Sequence, residues 1–244
     1  ILENTFRTQT VHHGYLEPRA AIASVDAEGK VTLWADNQGI FECRDLVADY
    51  LHLPLNNVKV IPVESGGAFG GKSHQVIAPL CALLSRKTGR PVKIVTSREE
   101  VFKTNRPPPA SVITVKLGAT KEGRLTAALL KMVYDYGASY GMGGMPAVPM
   151  GSFTGLNPYR IPNLKIETFS VFTNKTPSGP YRGPTAPQAA FAVESQIDLL
   201  ARTLGIEPLE LRLKNAVAEG DLMLTGQPFA RIGLRQVLEK MRQY

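Results

Sequence analysis

The chain has 244 residues, 43% hydrophobic and 20% charged, a balance that can bury a core and excludes wholesale disorder. Its net charge of +7 comes from 28 basic and 21 acidic residues, but no Lys/Arg run exceeds two. That pattern fits a scattered solvated surface better than a nucleic-acid footprint. No apolar run reaches the roughly 18 residues of a membrane span, and the two cysteines are too few for a disulfide framework.

In chain order, residues 20–25 and 30–35 read as strands around the turn Asp26-Ala27-Glu28-Gly29. Ile40, Cys43, Val47 and Tyr50 recur at helical spacing over 39–52, and Pro54 ends that helix. A β-branched strand over 57–63 leads into a glycine-rich loop at 65–72. A helix over 74–87 with Gly89 beyond its end and a short strand at 92–96 follow. Pro107-Pro108-Pro109 breaks the chain. Strands at 111–117 and 125–135 flank the turn Lys121-Glu122-Gly123. Residues 137–155, rich in Gly, Met and Pro, show no period and read as a loop that is functional, or mobile when a partner is missing. A strand at 164–172 and helices at 186–204, 209–218 and from 234 onward complete the order. Strands and helices mix without strict βαβ alternation, so the expected class is α+β: mixed sheets with packed helices, compatible with two lobes and a boundary near residues 105–110. Cys43 and Cys81 lack metal-site spacing and read as small buried hydrophobes. The opening from Ile1 has no apolar leader, so the chain is expected to be a cytoplasmic fragment or processed product.

Residues Gly66-Gly67-Ala68-Phe69-Gly70-Gly71-Lys72-Ser73 fit the phosphate-loop pattern, between a strand and a helix. In a nucleotidase, Lys72 would reach the terminal phosphate and Ser73 would hold Mg²⁺. The bulky Phe69 and the lack of a clear magnesium aspartate, with 129–135 the nearest candidate, weigh against that reading. A non-enzymatic protein-binding domain is a third possibility.

Five segments together resemble the large, molybdopterin-binding subunit of the molybdenum hydroxylases, the xanthine dehydrogenase and aldehyde oxidoreductase family. They are Val11-His12-His13-Gly14-Tyr15-Leu16-Glu17-Pro18, the glycine loop, Tyr159-Arg160-Ile161-Pro162-Asn163, the stretch 173–190 containing Tyr181-Arg182-Gly183-Pro184, and Pro208-Leu209-Glu210-Leu211-Arg212-Leu213-Lys214-Asn215. The resemblance covers nearly the whole chain but only part of the family's large subunit.

The resemblance implies an enzyme that hydroxylates or oxidises a carbon centre with oxygen from water. Its cofactor would be molybdenum–molybdopterin in the cytosine dinucleotide form, with the metal held by the cofactor and by no direct protein ligand. His12, His13, His52 and His74 therefore need not be ligands; His52 and His74 read as surface or helix-end residues. Electrons would pass to iron–sulfur clusters and FAD on partner subunits. Cofactor contacts fall to Gln38, Gly67, Ala68, Phe69, Gly70, Arg182 and Gly183: glycines for close backbone approach, Phe69 as a wall, Gln38 for its amide, and Arg182 for a planar donor set. Ser73, Met150 and Pro184 fall at the substrate pocket. Purine-type members carry other residues at these three positions, and copper-type members carry a cysteine on the loop that here holds Gly183. An aldehyde or an N-heteroaromatic is thus the expected substrate. No Gly-x-Gly-Glu segment occurs, and Glu194 and Glu210 read as surface charges. The general-base glutamate is expected C-terminal to residue 244, with the rest of the large subunit, and the chain alone is expected to be inactive.

Overall fold

The computed structural model describes residues 1–73, 75–138 and 148–243. The chain runs β1 (Leu2–Thr8), β2 (Ala20–Val25), β3 (Val31–Ala35), α1 (Ile40–Leu51), β4 (Val58–Pro62), α2 (Ala78–Thr88), β5 (Val92–Val95) and α3 (Arg98–Thr104). It continues β6 (Ala110–Ala119), β7 (Leu125–Gly137), α4 (Val148–Gly155), β8 (Asn163–Phe172), α5 (Ala186–Leu204), α6 (Pro208–Asn215) and α7 (Leu234–Met241). Two four-stranded mixed sheets result, ordered β4-β3-β2-β5 and β1-β6-β7-β8, and the class is α+β.

Each sheet has its own core. In the first, Ala21 and Ala23 of β2 are buried on either side of the exposed Ile22, and β3 alternates buried and half-buried residues, the period-2 pattern of a sheet covered on one face. Helix α1 sets Cys43, Val47, Ala48 and Leu51 against it, and α2 adds Cys81 and Ala82. Both cysteines are fully buried and unpaired, and burial pushes the Cys43 thiol up to about 12. Strand β4 runs parallel to β3 after the α1 crossover. In the second sheet, Leu130, Met132 and Tyr134 of β7 pack with Val193, Ile197 and Leu200 of α5.

The chain starts in the second sheet, crosses to the first at β2, and returns at β6. Strand β1 pairs antiparallel with β6 from Leu2↔Leu117 to Thr8↔Ser111. Sequence reading misses it because its inward face carries Asn4 between Leu2 and Phe6. That asparagine is paired: its amide donates to Oε1 of the fully buried Gln196 at 2.9 Å, and Gln196 donates to the Leu2 carbonyl at 2.9 Å.

Four other expectations change. The helix expected over 74–87 starts at Ala78, with Pro79 in its first turn, where its missing N–H costs nothing; His74 lies outside the described residues. Helix α3 was not expected, although Ser97 and Glu100 form a capping box around its first turn. Of the stretch 137–155, residues 139–147 lie outside the described residues, and α4 occupies 148–155. Helix α6 stops at Asn215 instead of 218. Ala216 is extended there and bridges Tyr159, while the Asn215 side chain accepts from the Leu125 N–H at 2.9 Å and donates to the Gly123 carbonyl at 2.8 Å. His52, expected at a surface or helix end, is the left-handed C-cap of α1.

Candidate functional site

Two loops from different sheets meet at the C-terminal end of the parallel pair β3/β4, where open α/β sheets commonly bind ligands. One is the glycine loop after β4. The other, 173–185, joins β8 to α5. The Arg182 N–H donates to the Phe69 carbonyl at 2.9 Å, and the Arg182 guanidinium lies over the Phe69 ring, 5.7 Å from its centroid. Gly70 has φ +103, and a Cβ there would lie 2.3 Å from the Pro180 carbonyl oxygen. Glycine is therefore required at Gly70 by backbone conformation and by contact alike. Gly183 has φ +69, and a Cβ there would make only ordinary contact with Pro187 at 3.5 Å, so only conformation requires glycine there.

Three non-glycine residues have positive φ among the described residues. His52 is a helix cap, but Phe69 and Thr185 sit on these two facing loops. Such strain persists where surrounding contacts over-determine it. Thr185 is buried and accepts the Gly151 N–H at 3.0 Å, which sets Met150, at the start of α4, beside the Pro184–Thr185 turn.

Gln38 follows β3 and faces the glycine loop. Its Oε1 accepts the Gly70 N–H at 3.0 Å and the Lys72 N–H at 3.2 Å, and its own N–H donates to the Lys72 carbonyl at 3.3 Å. Two backbone donors on one oxygen settle the amide's orientation, so the NH₂ end is turned away from the loop. A cavity of about 620 Å³ opens beside Gln38 and Ser73, lined also by Arg106, Pro180 and apolar faces of α1 and α2. Phe69, Arg182, Gly183 and Met150 are not on its wall. The structure therefore brings Gln38, Gly67, Ala68, Phe69, Gly70, Ser73, Arg182 and Gly183 together, with Pro184 and Met150 on the α4/α5 side.

The first motif supplies a wedge between the loops. His13 is buried and donates from Nε2 to the Pro180 carbonyl at 2.8 Å, while its ring stacks on Tyr181 at 4.7 Å. Because a carbonyl only accepts, the Nε2 tautomer follows, and Nδ1 faces the Asn105 amide at 3.4 Å. Burial lowers the His13 pKa against the raising effect of the Pro180 hydrogen bond. The resemblance places His13 either near the cofactor or in a structural role, and nothing along the chain connects it with Pro180.

Lys72 decides against a phosphate loop. Its side chain is fully buried, with Nζ 2.6 Å from Glu17 and 2.7 Å from Asp36. Its charge is thus neutralised inside the protein and turned away from any loop ligand. Helix α2 begins six residues after Lys72, at Ala78, so the helix that follows the loop does not start at its lysine as in a phosphate loop. Magnesium ATP or GTP should show no binding by calorimetry at micromolar concentrations. Micromolar affinity abolished by Lys72→Ala would overturn this account of the loop.

The remaining two motifs are structural. The Tyr159 hydroxyl donates to the Glu194 carboxylate at 2.7 Å, and Arg212 bridges Glu194 and Asp198 at 2.7 Å each. Glu194 is thus a joint between α5, α6 and the 156–162 turn, a correction to its reading as a plain surface charge. Glu210 pairs with Arg242 in solvent.

The site fits an anionic, electron-rich cofactor in two respects: an amide NH₂ turned from the loop, and an exposed guanidinium whose neighbour is a ring. The glycines do not add a third, because the Cβ positions of Gly67 and Gly70 are taken by Tyr15, Phe69 and Pro180 of the protein itself, a correction to the expectation that they make room for a cofactor. No carboxylate pairs with Arg182 among the described residues. Also among the described residues, no group of three or more His, Cys, Asp or Glu side chains converges.

Comparison with known proteins agrees. Residues 1–216 match the molybdopterin cofactor-binding domain. The chain is 36% identical over 244 residues to the nicotinate dehydrogenase large molybdopterin subunit of Eubacterium barkeri, covering all of this chain and 57% of that one. It superposes on the aldehyde oxidoreductase of Desulfovibrio gigas with TM-score 0.93 at 29% identity, over 99% of this chain and 27% of that one. Quinoline 2-oxidoreductase of Pseudomonas putida gives TM-score 0.93 at 28% identity, over 99% and 32%. The chain thus spans little more than half of the first relative and about a third or less of the two solved chains.

Proposed function

Since the chain belongs to the molybdopterin cofactor-binding domain family of the molybdenum hydroxylases, we propose that it supplies one wall of the molybdenum cofactor site in a larger enzyme subunit. That enzyme would oxidise an aldehyde or an N-heteroaromatic carbon with oxygen from water. The bound cofactor would supply the two-electron redox chemistry, and this chain binds, orients and walls. The observation that carries the reading is the loop pair: Gln38 clasped by its oxygen to the glycine loop, and Arg182 stacked on Phe69 beside it.

In this reading the Gln38 NH₂ and the Arg182 guanidinium would hold the anionic groups of the cofactor. The backbone of Gly67, Ala68, Gly70 and Gly183 would lie beside it, and Phe69 would exclude water. No protein atom ligates the metal directly. Ser73, Met150 and Pro184 border the substrate. The names of the relatives support both substrate classes: nicotinate and quinoline are N-heteroaromatics, and the other solved relative is an aldehyde oxidoreductase. The cytosine dinucleotide form, the iron–sulfur and FAD partner subunits, a general-base glutamate in the rest of the large subunit and a cytoplasmic location belong to the same proposal. So does a lobe boundary near residues 105–110. No helix among the described residues is long and apolar enough to cross a membrane.

Arg182→Ala in the complete enzyme tests the reading. Molybdenum content or turnover should fall by about tenfold, the loss expected for one charge-assisted donor set. Wild-type metal content together with wild-type turnover would show Arg182 to be a bystander.

A further inference from the structure

Lys72 and Glu17 lie outside the cofactor contacts proposed above, yet both ends of the glycine loop converge on them. Glu17 Oε2 accepts the Gly66 N–H at 2.8 Å and the Lys72 ammonium at 2.6 Å, and the Glu17 N–H donates to the Gly66 carbonyl at 3.2 Å. One carboxylate oxygen therefore ties Gly66, near the start of the loop, to Lys72 at its end. Gly66 makes this possible, because a Cβ there would lie 2.6 Å from the Glu17 Cβ. The Lys72 ammonium also lies over the Tyr15 ring at 5.1 Å. Gly71 leaves room for that ring, since a Cβ would come within 2.7 Å of it.

The backbone of Lys72 is bound at the same time to Gln38, through the Lys72 N–H and carbonyl. We propose that Glu17 and Lys72 form a clasp that closes the base of the glycine loop and thereby sets the direction of the Gln38 amide. Both are positioning residues. Their bearing on the cofactor rests on the proposed function, whereas the clasp itself rests on the geometry alone.

The two carboxylates on Lys72 have different work. Asp36 is buried and neutralises the buried ammonium. Glu17 is 36% exposed and carries the connection to Gly66. Partial burial by itself would raise the Glu17 carboxyl, but the Lys72 hydrogen bond and the Gly66 N–H outweigh it and hold the group below its usual range. Removing Glu17 therefore opens the clasp while leaving the Lys72–Asp36 pair in place, so the fold should survive.

The test uses the complete enzyme with Glu17→Ala and Glu17→Gln, read by amide hydrogen exchange and molybdenum content. In Glu17→Ala, exchange across residues 66–73 should rise about tenfold, as expected for loss of a charged hydrogen bond. Exchange in β2 and α5 should stay unchanged. Glu17→Gln keeps an acceptor for both donors and should stay within about twofold of wild type. Unchanged loop exchange in Glu17→Ala overturns the clasp, whether or not metal is lost. Faster loop exchange restored by glutamine supports it. If that faster exchange comes with full metal content, the clasp stands and the cofactor reading is the part that fails.

Discussion

Replacing Lys72 by methionine should lower the unfolding free energy by about 3–5 kcal/mol, the penalty for breaking a buried ion pair from one side. Methionine fills similar volume, so the loss is mostly electrostatic. Asp36 is 1% exposed and would keep only Arg19 as a nearby cation. Arg19 is itself fully buried and makes no hydrogen bond through its guanidinium among the described residues, and burial lowers its pKa. Burial already pushes the Asp36 carboxyl up against the opposing effect of Lys72, and without Lys72 it should rise further. A carboxyl whose folded pKa lies above its unfolded value loses stability as pH rises. The deficit should therefore be larger at about pH 8 than at about pH 5. Urea unfolding of the variant at both values measures this. A loss under about 1 kcal/mol at both would place the pair in the class of surface salt bridges and contradict its burial.

Gly70→Ala should cost about 2–4 kcal/mol, from backbone strain and overpacking together. Its φ of +103 disfavours any side chain, and the atom met at 2.3 Å is the Pro180 carbonyl oxygen. Backbone cannot rotate aside as a flexible side-chain end can, so the two loops must separate. The Arg182–Phe69 hydrogen bond and the His13–Pro180 hydrogen bond both bear on that junction. Gly183→Ala is the control, because it meets nothing closer than 3.5 Å and should cost only about 1 kcal/mol for its left-handed conformation. Thermal unfolding of the two variants side by side compares them. Equal losses would show that the close contact at Gly70 carries no energy.

The sequence by itself determined the elements whose signals are local. The period-2 strands β2, β3 and β7, the 3.6-period faces of α1 and α5, and the α+β class follow from spacing, because core burial repeats with the backbone's own period. It also exposed the glycine loop and the Tyr181-Arg182-Gly183-Pro184 stretch, and the order of five segments pointed to the family. Tertiary structure alone decided what depends on long-range pairing. The chain does not show that β1 lies beside β6, because Asn4 is satisfied by Gln196, 192 residues away. Nor does it show which way Lys72 points. The pattern Gly-x-x-x-x-Gly-Lys-Ser is the same whether the lysine reaches a phosphate or turns inward. Only Glu17, 55 residues earlier, and Asp36 beneath it make the inward direction the stable one. Likewise Pro180 and Gly70 come within a methyl group of each other across two sheets. The site is built where loops distant in sequence converge, and that convergence is set by how the two cores pack, which no local pattern encodes.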